Sequence, residues 1–297
     1  MNKIPVIFTF DKRIILGATV AIKSLIDCAN PDTSYHIFVF YPDLSNSDMN
    51  ELKNMVEKSG RHEISFIYID PKRFEGAPKN NGSWTEIVYY RLLAPELLKD
   101  YDKAIYVDVD VLFKGDLTEV YNTDLTDYEI AAVPVEVNSP NTICHKYFPE
   151  NKNKWIYISS FIVFNLEKMR KENIVQKFFD TIKTIDKRLC FFDLDVLNIA
   201  LDNIKPLPFT YGTFQSVMCN EDVTKAAEYG FLKGIYSVED LENARKDVVF
   251  VHYAGDMGKP WRRHHIPRDY KQCMDSIPKK LKRFTFRDIR KRFFSKD

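Results

Sequence analysis

The sequence predicts an α/β protein built on a parallel, doubly wound sheet. Three observations carry that expectation. Apolar runs alternate with helix-period segments through the first third of the chain, strand then helix three times over. The run from Lys103 through Phe113 is almost continuously apolar, as a strand buried on both faces is. The 297 residues, 45% hydrophobic and 29% charged, are enough for one large domain with a substantial core.

Taken in order, residues 5–10 read as a first strand and 14–28 as a helix. Ala18, Ala21, Ile22 and Leu25 fall at helical spacing, and Asn30-Pro31-Asp32 stops the helix. Residues 35–41 form a second strand, ended by Pro42. A helix follows, capped by Ser47 or Asp48, with Leu52, Met55 and Val56 as its apolar stripe and Ser59-Gly60 as its end. Residues 63–69 read as a third strand, 71–83 as a loop, 86–98 as a helix and 103–107 as a fourth strand. In the second half, 130–135 and 158–165 read as strands. Residues 166–185 are largely helical with a break, 193–201 start a helix, and 248–252 are a short strand. No repeat, low-complexity stretch or linker divides the chain. A body over 1–265 and a basic tail over 266–297 are expected.

Asp108 and Asp110 interrupt the apolar run 103–113. Burying two carboxylates there costs several kcal/mol each without compensation. On an extended backbone, residues i and i+2 point the same way, roughly 7 Å apart. Both carboxylates then face one divalent ion at the end of a strand, where open α/β sheets bind ligands. His252 likewise ends a strand. Gly255, Gly258 and Lys259 follow it closely, permitting close backbone approach and offering a point charge for phosphate. Two Asp oxygens and an imidazole suit Mn²⁺ or Mg²⁺. Trp261 reads as a packing anchor. The glycine-rich signatures GxGxxG and GxxxxGK[ST] are both absent, so a nucleotide, if bound, must be held through a metal and isolated basic groups.

Charge is unevenly spread. Residues 279–297 carry nine Lys and Arg against two Asp, a net of +7, so the rest sums to −6 within the whole-chain +1. An acidic body without a reading element argues against nucleic acid. Five scattered cysteines without CxxC spacing suggest reduced thiols in a cytosolic setting. No signal-peptide pattern begins the sequence, and no apolar run is long enough to span a bilayer.

The motifs together resemble glycosyltransferase family 8, most closely its bacterial lipopolysaccharide α-galactosyl- and α-glucosyltransferases. They are Phe8-Thr9-Phe10-Asp11, Ala21-Ile22-Lys23-Ser24, Tyr89-Tyr90-Arg91-Leu92, the stretch ending in Asp108-Val109-Asp110, Phe192-Asp193-Leu194-Asp195, and His252-Tyr253-Ala254-Gly255 with Lys259-Pro260-Trp261. The resemblance implies a GT-A fold and retaining transfer of a hexose, glucose or galactose, from a UDP-sugar. The acceptor would be a surface glycan or glycolipid such as lipopolysaccharide or lipooligosaccharide. It implies that Asp108, Asp110 and His252 hold the metal bridging the diphosphate. The donor would be bound by Thr9, Asp11, Arg91, Asp108, Val109, Asp110, Gly255 and Lys259. Asp11 would help to hold the uridine, and Gly255 and Lys259 the phosphates. Arg91 and Asp193 would face the donor sugar as the catalytic pair, and Asp193 also reads as an N-cap.

The chain departs from the family pattern at four places. Ile158-Ser159-Ser160 replaces Asn-Ser/Ala-Gly. Leu194 stands where a Gln is common, and a leucine cannot act as a nucleophile. One more residue precedes Lys259. Glu136 is the nearest acid to a usual Asp after the strand at 130–133. Alternatives are a self-glycosylating or N-acetylhexosamine-using enzyme, a metal-dependent nucleotidyltransferase and a nucleotide-sugar-binding pseudoenzyme. In the tail, Phe286, Ile289 and Phe293 share one helix face flanked by basic residues. That pattern predicts peripheral attachment to the anionic inner face of the cytoplasmic membrane.

Overall fold

A computed structural model describes residues 3–80, 84–255 and 257–294. Residues 81–83 of the expected loop, Asp256 of the second motif and the outermost ends of both expected domains lie outside the described residues.

The first half follows the sequence closely. Strand β1 (Ile4–Thr9), helix α1 (Ile15–Asp27), β2 (Tyr35–Tyr41), α2 (Asn46–Glu57), β3 (Glu63–Tyr68) and β4 (Lys103–Val107) alternate as expected. Alternate residues of β1 serve opposite layers: Val6 and Phe8 pack with Ala18 and Leu25 of α1, and Ile7 packs on the other face with Tyr89 and Leu92. After a bend at the two aspartates come β5 (Val111–Phe113), β6 (Ile130–Val137), β7 (Trp155–Asn165), β8 (Ile204–Pro206), β9 (Thr213–Phe214) and β10 (Phe250–His252).

Seven strands form one twisted sheet in the order β3-β2-β1-β4-β7-β6-β8, and β5-β10-β9 form a second, small one. The large sheet is mostly parallel. Only β7 runs against its neighbours β4 and β6. β7 begins at Trp155, earlier than expected, and returns directly beside β6, so it needs no helical crossover.

Three local expectations are corrected. The cap of α2 is Ser45, not Ser47 or Asp48: Ser45 Oγ accepts from Asp48 N at 3.2 Å and Asp48 closes the reciprocal bond. Ser45 and Asp48 have the three-residue spacing that a capping box requires. The expected helix 86–98 is a 3₁₀ segment, Glu86–Leu93, followed by one α turn, Ala94–Leu97. Nearly every side chain in that segment is buried, Arg91 included, so it has no solvent face of the kind that keeps a surface helix amphipathic. The apolar run after Asp110 does not continue β4; it crosses to the second sheet as β5.

At the C-terminal side, Trp261 is a packing anchor. It is 2% exposed, and its ring lies so close to Gly17 of α1 that a Cβ there would sit 2.5 Å from it. The helix Arg268–Ser276 closes over it, burying Tyr270 and Met274. Past residue 265 the chain therefore remains packed on the body through Ile277 and Leu281, with Lys280 paired to Glu51 and Arg283 to Asp48. The final helix, Phe286–Phe294, is fastened by the buried Asp288, which accepts from Arg262 Nε at 2.5 Å and from Thr285.

Candidate active site

The site lies where β1 and β4, adjacent and parallel, reach their C-terminal ends. In doubly wound sheets this is the ligand crevice. Thr9 ends β1, and its hydroxyl lies 3.1 Å from Tyr106 Oη of β4. Asp11 follows. Its buried carboxylate accepts from Arg13 N at 2.8 Å and from Arg13 Nε at 2.5 Å, capping the turn Lys12–Ile14. Arg13 reaches on to Thr85 Oγ1 at 3.5 Å.

The Asp108–Asp110 segment is a bend, not an extended strand, so the two carboxylates are not held by the i, i+2 alternation. They nevertheless converge. One ligand atom each from Asp108, Asp110 and His252 all lie within 4.8 Å of one another. The small sheet is responsible. β10 runs antiparallel to β5 with His252 opposite Val111, and Tyr253 N donates to Asp110 O at 2.8 Å. Phe214 of β9 stacks on the imidazole at 5.7 Å. Two carboxylates and an imidazole form a hard, mixed O/N donor set that fits Mn²⁺ or Mg²⁺, and buried His252 Nδ1 has no protein hydrogen-bond partner among the described residues. Asp110 Oδ1 is 3.6 Å from His252 Nε2, and its other oxygen pairs with Lys259. Burial alone would push the Asp110 carboxyl up. The Lys259 ammonium and His252 outweigh it and hold the group far below the usual carboxylate range.

Asp108 has different company. Arg91, buried under the sheet, brings Nη2 to 3.0 Å from Asp108 Oδ1 and lies over the Tyr106 ring at 4.1 Å. Tyr106 Oη donates to the same oxygen at 2.6 Å. Arg91 Nη1 donates to Ser159 O at 2.7 Å and Nε to Val88 O at 3.0 Å. Burial works against the guanidinium, but Asp108 and Asp193 outweigh it and raise its pKa. Asp193 Oδ2 approaches Arg91 Nε at 3.3 Å. That nitrogen's hydrogen points to Val88, so Oδ2 gains charge attraction without a hydrogen bond. Burial then wins at Asp193, with the Asp108 charge adding to it, and the carboxyl is pushed up to about 6. Asp193 is not the N-cap of its helix: Phe192 occupies that place without a side-chain cap, and Asp193 is the first helical residue. Leu194 beside it is buried.

Gly255 adopts φ +80° and Gly258 φ +69°, values that favour glycine. At Gly255 a Cβ would also meet Glu228 Oε1 at 2.6 Å. The loop between them is braced by Gln215, whose Nε2 donates to Ala254 O at 2.9 Å and Gly258 O at 3.3 Å. Tyr106, Phe214 and Gln215 were not singled out by sequence reasoning. Phe214 and Gln215 carry no motif and matter only through the register of β9 on β10.

With this geometry in place, the comparisons with known proteins are decisive about kinship. The sequence model of glycosyl transferase family 8 matches residues 5–265. The chain belongs to this family. A lipopolysaccharide 1,2-glucosyltransferase of Escherichia coli is 28% identical over 261 residues, which cover 84% of this chain and 71% of the relative. A lipopolysaccharide 1,3-galactosyltransferase of Salmonella typhimurium is 25% identical, covering 88% and 73%. Among solved structures, an active-site mutant of LgtC with glutamine changed to glutamate superposes with a TM-score of 0.74 at 22% identity, covering 93% of this chain and 98% of that one. The family 8 protein described here thus has the GT-A glycosyltransferase fold. Among the described residues no helix is long and apolar enough to cross a membrane.

Proposed function

We propose that this glycosyltransferase moves glucose or galactose from a UDP-hexose to a cell-surface glycan acceptor such as lipopolysaccharide or lipooligosaccharide, with retention. The observation that carries the reading is the convergence of Asp108, Asp110 and His252 within 4.8 Å, with Lys259 on Asp110. These three residues would hold Mn²⁺ or Mg²⁺, and the ion when bound would neutralise the diphosphate as it leaves. Lys259 adds a positive charge at the same place, on a loop whose glycines admit close backbone approach. Thr9, Asp11 and Val109 would line the nucleoside side. The Asp193 oxygen without a hydrogen-bond donor is available to a donor-sugar hydroxyl, and Arg91 fixes its place. Leu194 offers no nucleophile, which favours attack from the leaving-group face: the acceptor oxygen bonds the anomeric carbon as the bond from that carbon to the UDP oxygen breaks, and the acceptor proton passes to a phosphate oxygen of UDP. The relatives' acceptors, named as lipopolysaccharide, support the acceptor class.

A screen of UDP-glucose, UDP-galactose and the UDP-N-acetylhexosamines with Mn²⁺ tests the reading. One of the two hexoses should be turned over, EDTA should abolish turnover, and NMR should show an α linkage. Undiminished turnover in EDTA overturns the metal role, and a β linkage overturns retention.

Attachment to the inner face of the cytoplasmic membrane belongs to the same proposal. The last helix turns Asp288 inward and leaves Phe286 82% and Phe293 60% exposed, with Arg290 exposed beside them. Cutting the chain at Pro278 would also remove buried Leu281 and the Arg283–Asp48 pair, so substitution is the cleaner test. Phe286→Ser with Phe293→Ser should lose co-sedimentation with anionic liposomes. Unchanged co-sedimentation would refute the attachment.

A further inference from the structure

Each carboxylate of the Asp108–Asp110–His252 cluster already has a cation of its own. Arg91 Nη2 stands 3.0 Å from Asp108 Oδ1, and the Lys259 ammonium donates to Asp110 Oδ2. The two cations are held differently. Arg91 has a side chain 6% exposed and two further bonds, to Val88 O at 3.0 Å and Ser159 O at 2.7 Å. It is a fixed part of the interior. Lys259 has a side chain 31% exposed and, among the described residues, one further bond, to Tyr253 O at 3.3 Å. Lysine carries its charge as a compact point on a flexible four-carbon stem. Of the two, only Lys259 can leave its carboxylate without stranding a cation in the interior.

The backbone that carries Lys259 is pinned on both sides. Gly258 O accepts from Gln215 Nε2 at 3.3 Å and from Arg263 Nη2 at 2.6 Å, and Lys259 O accepts from Arg262 N at 3.0 Å. Trp261, two residues on, is buried against Gly17 of α1. A change of partner for Lys259 is therefore a rotation of its side chain. Meanwhile Asp110 serves two purposes: Oδ1 faces His252 Nε2 at 3.6 Å, while Oδ2 receives the ammonium. A divalent ion in the cluster and an ammonium on the same carboxylate are like charges on one small group. Their repulsion in a partly buried site far exceeds its value in water. With Arg91 on Asp108 as well, both carboxylates are matched before an ion arrives. A diphosphate changes that balance, because its oxygens offer the ammonium another partner and add negative charge beside the ion.

Resting on the transferase reading above, we propose that Lys259 is a tethered place-holder for the divalent cation: on Asp110 it holds the ion's affinity down, and a nucleoside diphosphate draws it off and so admits the ion. One side chain then carries a positive coupling between nucleotide and metal, in addition to any bonds the ion makes to the phosphates. By linkage the coupling is reciprocal. The cluster therefore holds a metal tightly only when a nucleotide is present.

The test uses the full chain and reads Mn²⁺ binding from the electron paramagnetic resonance of the free ion, with and without UDP. Lys259→Met keeps the apolar stem and removes the charge. Without UDP it should bind Mn²⁺ at least about tenfold more tightly than wild type, an ordinary strength for coupled sites. Lys259→Arg keeps a cation and should stay within about threefold of wild type on the same scale. With UDP present the Met variant should lose its advantage. A folded Met variant that binds Mn²⁺ without UDP no more tightly than wild type overturns the proposal, and so does an Arg variant that gains as much as the Met variant. A measurement on wild type alone stands beside these. Acetic anhydride labelling of Lys259, read by mass spectrometry, should speed up when saturating Mn²⁺ is added and slow again when UDP follows. A labelling rate indifferent to Mn²⁺ overturns the proposal even where the variants fail to fold. A wild-type protein that binds no Mn²⁺ with UDP present sinks the metal role in the transferase reading instead.

Discussion

Asp108 and Asp110 are separated by one residue and live among different partners. Asp108, its side chain 26% exposed, shares the buried guanidinium of Arg91 with Asp193 and accepts from the Tyr106 hydroxyl. Asp110 faces His252 and the ammonium of Lys259, whose side chain is 31% exposed and sits on a loop with two left-handed glycines. The first group is a closed charge network. The second is a carboxylate with a partner that keeps contact with solvent. Removing Arg91 leaves two carboxylates, Asp108 and Asp193, without a cation, whereas removing Lys259 leaves one carboxylate with His252 still beside it. The Asp108 side thus holds its shape, and the Asp110 side has a cation available for a ligand.

The largest expected effect comes from opening the closed side. Arg91→Met leaves Asp108 and Asp193 without their shared counter-charge and should cost about 3–5 kcal/mol of stability, read from urea midpoints. A cost below about 1 kcal/mol, the scale of a surface pair, would erase the distinction between the sides.

On the other side, Lys259→Ala leaves buried Asp110 with His252 as its remaining partner and should cost less than Arg91→Met, about 1–3 kcal/mol of stability. It should still lower kcat/KM for the donor by about 10²–10³-fold, the scale of removing one preorganised charge. A stability loss matching that of Arg91→Met would show that Lys259 belongs to the fold as much as to the site.

A pH dependence sharpens the comparison. Asp193 titrates near 6 in the folded chain, against about 4 when unfolded. Between those values the folded state holds a proton that the unfolded state releases, so stability falls as pH rises from about 4 to about 6 and levels off above. The integrated loss is about 3 kcal/mol. Asp193→Asn lacks this titration. Its stability relative to wild type should therefore improve by that amount between pH 4 and pH 7. No improvement would mean that Arg91 balances Asp193 as fully as Lys259 balances Asp110.

Much of the first half was legible residue by residue. The strands at 5–10, 35–41 and 103–107 are largely buried apolar runs, and local pattern suffices for them and for the edge strand at 63–69. Asp108, Asp110 and His252 were legible as a group because charged or polar residues ending apolar strands require a compensating partner. Elsewhere local pattern misled. Residues 86–93 looked α-helical because their composition is helical, but burial on nearly every side favoured a tighter 3₁₀ path. Asp193 looked like a cap because it precedes an apolar helix, but Arg91 from another segment claimed its carboxylate. Glu136 was the nearest acid to the family's usual Asp after the strand at 130–133, and its carboxylate turns to the amides of 143–145.

Local sequence was enough for the alternation of strands and helices, the acidic pair after a strand, the histidine that ends a strand and the basic, aromatic end of the chain. Each of these depends on side-chain periodicity or charge within a short window, where neighbours in sequence are neighbours in space. Only the tertiary structure decided that the run after Asp110 leaves the main sheet, that β10 pairs with it so that His252 meets Asp110, and that Phe214 and Gln215 hold that junction. Those contacts join residues that are far apart in the chain, and pairing between distant short strands is selected by the whole packed core, which no local window contains.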